Sequence, residues 1–182
     1  MAVPVRDLER EPEALHALAH PLRLKLLDLL KVKGSSTASE LARLAGESSG
    51  ATSYHLRQLA RHGFVVEDEG RGTRRERWWK ADPSQLRVET SGDPTATSLL
   101  SQVLGRVVAV AEAYAAADDD SDWNEASFAR LATIRLTPAD LAGFRERVFA
   151  AVDELHETQT DGGDSAPVTL MLFGVPRLED DS

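Results

Sequence analysis

Residues 37–63 read TASELARLAGESSGATSYHLRQLARHG, and the fold turns on them. Thr37 and Glu40 stand at capping-box spacing, so a hydroxyl and a carboxylate can satisfy the orphan N–H groups that open a helix. Ala38, Leu41, Ala42 and Ala45 give that helix one apolar face, and Gly46 suits the left-handed residue just past its end. Ser48 or Ser49 suits the N-cap of a second helix, expected from about Gly50 to Arg61 with Gly63 as its stop. Two helices joined by so short a turn make a helix-turn-helix. On the second helix Thr52, Leu56, Leu59 and Ala60 face inward. Ala51, Tyr54, His55 and Gln58 point away, with Ser53, Arg57 and Arg61 along one flank.

Working outward, Glu11–Ala19 carries a short helical pattern, and Pro21 sits where a further helix begins, its fixed φ and missing N–H suiting a first turn. Leu22, Leu24, Leu26, Leu27, Leu29 and Leu30 put apolar groups nearly all round that helix, which makes it the most buried of its domain. Downstream, Phe64–Glu69, the tip Gly70-Arg71-Gly72 and the return Arg74–Lys80 read as a β-hairpin with a longer loop. Arg71, Arg74, Arg75 and Arg77 lie at or near its tip, where they suit phosphate. Trp78 and Trp79 are adjacent in a strand and face opposite sides, so one belongs to the core of this domain and the other needs a different apolar neighbour.

Helices, a tight turn into a polar-faced helix and an arginine-tipped hairpin make a winged helix-turn-helix, whose second helix can enter a major groove. Residues 14–80 resemble the ArsR-type winged-helix transcriptional regulators. The resemblance rests on ALAHPLRL from Ala17, ASELA from Ala38, TSYHLRQL from Thr52 and RERWW from Arg75, in order and at family spacing. It implies a homodimeric repressor of bacterial type on a pseudo-palindromic operator, with Ser53 at the DNA surface beside Tyr54 and Trp79 at an aromatic core position. Trp78 is then expected to meet the second unit or a partner subunit.

The chemistry of the exposed residues agrees. Ser53 can bond a phosphate or a base edge, and Tyr54 offers a hydroxyl and a ring. Gln58 can pair adenine in bidentate fashion, and Arg57 can reach guanine or phosphate. The helix start around Ser49 adds backbone N–H groups for a phosphate. His55 and Arg61 complete the candidate set.

The 182-residue chain has a formal net charge of −9, but its halves disagree. Residues 1–82 hold 14 Lys and Arg against 12 Asp and Glu, a net of +2, whereas residues 83–182 hold 7 against 18, a net of −11. Only the first half can favour a polyanion. Asp82-Pro83 and Thr90–Pro94 carry connector residues, and from Thr95 to Ala117 apolar residues recur at three- and four-residue steps. Trp78, Leu99, Leu100, Val103, Val107, Val110 and Tyr114 are the candidate dimerisation or effector residues. A strand is expected within Phe128–Leu136, a helix from Thr137-Pro138 to about Glu157, and a final apolar strand over Pro167–Val175.

The expected fold class is therefore mainly α with a small β component (α+β). A winged helix-turn-helix occupies residues 1–82, a linker 83–94, a small α+β dimerisation or effector unit 95–178, and a loose tail 179–182. The absence of cysteine excludes thiolate metal sites, which departs from the metal sensing known in the ArsR-type family, and leaves disulfide-free surroundings, by default the cytoplasm. His16 and His20 lack a third ligand nearby, and Asp118, Asp120 and Asp122 lead into Trp123 where a calcium loop needs glycine, so neither metal nor cofactor is expected. Gly70-Arg71-Gly72 leads into a Trp-rich strand rather than a helix, and no G-x-S-x-G or P-loop appears, so no enzyme is expected. No apolar run is read as approaching the roughly 18–20 residues that span a bilayer, and the charged opening Met1–Pro12 is unlike a signal segment. The expected function is a sequence-specific DNA-binding regulator, homodimeric, with an organic effector if it has one. The alternatives are a winged-helix protein-interaction module without DNA binding and a small-molecule sensor.

Overall fold

The computed structural model describes residues 5–71, 76–88, 93–117, 122–130, 132–158 and 165–176. Two compact units emerge, one spanning Val3–Arg106 and the other holding the rest of the chain. The first begins with strand β1 (Val5–Asp7), a 3-10 turn (Leu8–Arg10) and helices α1 (Pro12–Leu18) and α2 (Pro21–Lys33). Pro21 is the first residue of α2, and the N-cap is His20, whose Nδ1 accepts a hydrogen bond from the Leu22 N–H at 3.2 Å.

Strand β2 (Ser36–Thr37) leads into α3 (Ala38–Ala45), where the capping box forms: the Glu40 N–H donates to Thr37 Oγ1 at 3.2 Å and the Thr37 N–H donates to Glu40 Oε2 at 2.8 Å. Gly46 ends α3 in the left-handed region at φ 72°. Helix α4 (Ser49–Arg61) is capped by Ser48, whose Oγ accepts from the Ala51 N–H at 3.2 Å. Of the two serines, the first is the cap and Ser49 is the first helical residue.

The hairpin follows as β3 (Val65–Glu67) and β4 (Trp78–Ala81). With β2 they form a sheet of order β2-β4-β3, antiparallel throughout, with Ser36 opposite Trp79 and Val66 opposite Lys80. Alternation turns Trp79 inward, 6% exposed, while Trp78 is half-buried. Trp79 shares one core with Leu26, Leu30, Leu41, Leu56, Leu59 and Phe64.

The expected linker over residues 83–94 contains structure instead. Strand β5 (Gln85–Arg87) pairs in parallel with β1, Arg6 opposite Leu86, and Leu86 and Val88 pack against the core. Arg6 secures this second sheet: its guanidinium is hydrogen-bonded to the Glu11 carboxylate and lies 4.5 Å above the Phe64 ring. Connector residues at Asp82 and Pro83 turn the chain, but the apolar side chains after them gain more by burial than by crossing open water.

Helix α5 (Pro94–Ala116) starts in the same core, with Ala96 and Leu99 buried and Val103 packed against it, and it runs on past Arg106, which is paired with Asp28. By length and composition α5 is apolar enough to cross a bilayer, which corrects the reading that no run comes near. The second unit holds the rest of α5, α6 (Asp122–Ala126) and α7 (Pro138–Thr158). Thr137 caps α7, its Oγ1 accepting from the Asp140 N–H at 3.2 Å. The strands expected within 128–136 and over 167–175 do not form among the described residues. Alternating apolar residues make a strand only where a neighbouring ladder satisfies the backbone, and Phe128, for one, is 84% exposed. The whole remains α+β because of the two sheets in the first unit. The expected tail, 179–182, lies outside the described residues.

Candidate nucleic-acid interface

Helix α4 is fixed by its inner face: Thr52, Leu56 and Leu59 are fully buried, and α4 packs against α3 and α2. At 100° per residue the opposite side must then carry Tyr54, Arg57 and Arg61 outward. All three are exposed, Tyr54 by 52%, and Ser53 and Gln58 border them half-buried. Ser49, at the start of the helix, is exposed as well. These residues form one polar surface on one rigid element.

His55 is turned aside. Its ring lies against that of His20 with centroids 4.5 Å apart, and the Tyr54 ring meets it edge-on at 5.2 Å. His55 Nδ1 is buried without a hydrogen-bond partner. Burial holds both imidazoles below the usual histidine range, and the nearby Arg23 charge adds to this for each. His55 therefore stands on α4 as a neutral packing group against the start of α2.

The hairpin, or wing, is anchored where β3 enters the tip loop. Asp68 accepts the Ser35 hydroxyl at 2.5 Å, and the Lys80 ammonium lies 3.6 Å away. The Ser35 hydrogen bond, helped by Lys80, holds the Asp68 carboxyl below its usual range. Arg71 is exposed at the near side of the tip, and Arg77 is exposed but 3.8 Å from Glu67, which offsets part of its charge. Arg74 and Arg75 lie outside the described residues.

Of the candidate dimerisation residues, Leu99 is 1% exposed inside the first unit and Val103 packs on the same core, so these two serve that core. Leu100 and Val107 are half-buried, and Val110 and Tyr114 are exposed, together with Leu104 and Val108, which sequence reasoning does not single out. Sequence reasoning also misses Arg23 and His20. Both lie in the ALAHPLRL segment, whose histidine before a helix-opening proline is the available signal for a cap.

Residues 18–68 match a family model described as a helix-turn-helix domain. The matched segment holds the helix-turn-helix of α3 and α4 together with β3, and β4 of the hairpin lies beyond it. The chain is also similar to a curated relative, the HTH-type transcriptional regulator YgaV of Escherichia coli. YgaV is 37% identical over 57 residues, 31% of this chain and 58% of its own length, so the chain spans under two thirds of that relative. Among solved structures, the homodimeric winged helix-turn-helix DNA-binding domain Mb0332 of Mycobacterium bovis is 23% identical with a TM-score of 0.37, covering 54% of this chain and 81% of its own. NolR of Sinorhizobium fredii is 27% identical with a TM-score of 0.36, covering 56% and 84%.

Proposed function

We propose that the chain is a sequence-specific, DNA-binding transcriptional regulator, a homodimeric repressor that reads a pseudo-palindromic operator from the cytoplasm. The observation that carries this reading is the polar face of α4, which holds Ser53, Tyr54, Arg57, Gln58 and Arg61 together beside an anchored wing. Ser53, Tyr54 and Gln58 read base edges, while Ser49, Arg57, Arg61 and the wing arginines Arg71, Arg74, Arg75 and Arg77 hold phosphates. The second copy joins through the outward apolar residues of α5, namely Leu104, Val108, Val110 and Tyr114. Residues beyond the first unit serve dimerisation and an organic effector, since a chain without cysteine offers no thiolate to a soft metal. Catalysis has no part in this reading.

The test is selection of bound sequences from a random duplex pool, followed by isotherms on selected and scrambled duplexes across a salt series. Replacing Ser53, Tyr54 or Gln58 by alanine should cost about 1–3 kcal/mol and relax preference at particular base pairs. Neutralising Arg74 or Arg75 should weaken both duplexes alike, shrinking the log–log salt slope by about 0.9 for every phosphate the variant no longer neutralises. A chain that selects no sequence and binds no duplex would leave the protein-interaction reading in its place, which the Arg77–Glu67 pairing on the wing favours.

A further inference from the structure

We propose that the groove bounded by α1, the first turn of α2 and the last turns of α4 seats a DNA backbone phosphate, with Arg23 as its principal ligand. The proposal rests on the DNA-binding reading above and adds to it a phosphate ligand outside the recognition helix and the wing. The groove is a shallow, open depression lined by Glu13, His16, Arg23, Gln58, Arg61 and His62. Two guanidinium groups face a single carboxylate, and two imidazoles and an amide supply further donors.

Arg23 is poorly satisfied by the protein itself. Its Nε is buried without a hydrogen-bond partner, and its Nη2 donates to the His16 carbonyl oxygen only at 3.4 Å. Among the described residues neither Arg23 nor Arg61 forms an ion pair. The accessible Nη end of this guanidinium, held only by the long bond to the His16 carbonyl, carries the charge and the donors that a phosphate oxygen would take.

The same geometry selects the source of the phosphate. The groove is open and shares Gln58 and Arg61 with α4, so a free anion there would compete with water and salt with nothing else to hold it. A phosphate of a duplex engaged by α4 is presented at high effective concentration by the rest of the interface. Such an anchor would fix the angle at which α4 enters the major groove while carrying no sequence information.

The experiment compares the full chain with its Arg23→Gln, Arg23→Lys and Arg61→Gln variants, using duplex-binding isotherms over a salt series and thermal melts to confirm folding. Arg23→Gln and Arg61→Gln should each lower the salt slope, on selected and scrambled duplexes alike, by about 0.9 per subunit and so about 1.8 for a dimer. Arg23→Lys should keep the slope and loosen binding, because the charge stays and the fork is removed. If Arg23→Gln does not fold, Arg23→Lys decides: duplex binding as tight as that of the unchanged chain would overturn the assignment. A slope unchanged in folded Arg23→Gln would overturn this assignment and leave the DNA reading standing, whereas a wild-type chain that binds no duplex overturns both. Saturation of the Arg23 Nε–H resonance by submillimolar inorganic phosphate, with no duplex present, would assign the groove to a free oxyanion and overturn the duplex assignment.

Discussion

The ring of His55, on the helix that carries the reading face, lies 4.5 Å from that of His20, the residue that caps α2. Burial lowers both pKa values, His20 and Arg23 oppose a proton on His55, and Glu47 only partly favours one. Since the folded pKa values lie below the unfolded value of about 6.5, the unfolded chain takes up protons first as pH falls. Stability from this pair is therefore full above about pH 6.5 and declines as pH drops through the folded values. Urea midpoints measured from pH 8 to pH 5 should fall across that interval, and less steeply in His55→Gln. Parallel profiles for the two proteins would refute this.

The Thr37–Glu40 capping box should be worth a measurable share of the stability of the first unit. Thr37→Ala removes the hydroxyl that the Glu40 N–H uses and should cost about 1 kcal/mol in chemical denaturation, within a range of about 0.5–2. Thr37→Ser should recover most of it.

Two residues on one helix should respond in opposite ways. Leu99→Ala opens a cavity in the first unit and should lower its stability by about 2–5 kcal/mol. Val110, 49% exposed, should matter little to that stability but should weaken self-association when changed to aspartate, as read by sedimentation equilibrium. Equal effects of both on unfolding would place Val110 in a core.

Zinc, cadmium or arsenite titrated into a complex with a selected duplex should not release the protein at micromolar metal. Borderline and soft ions are held most tightly by thiolates, and the sequence has none. Specific release would point to an oxygen and imidazole site.

The features legible in the sequence are local ones. Thr37 with Glu40, Ser48 with Ala51 and Gly46 after Ala45 each act within four residues, so their spacing alone sets the geometry. The apolar stripe at Thr52, Leu56 and Leu59 likewise defines its own opposite face. Pairings between distant segments are not legible. Arg6 opposite Leu86 joins two strands of three residues each, too short to show a period, and so β5 reads as a connector. The stripe on α5 is visible, but nothing in its spacing says that Leu99 packs in one core while Val110 faces out. For Pro167–Val175 the alternation is present, and alternation is necessary for a strand without being sufficient.

Asp68 ties the wing to the segment ahead of α3 through Ser35, and pairs across the hairpin itself with Lys80. A hairpin held where its strands enter the tip loop explores fewer directions than one free to swing, so less conformational entropy is surrendered when its arginines meet a partner. On the proposed DNA-binding reading, Asp68 would govern affinity from a position that touches no ligand. Loosening the clamp would leave every binding residue in place and still make each encounter of the wing less productive.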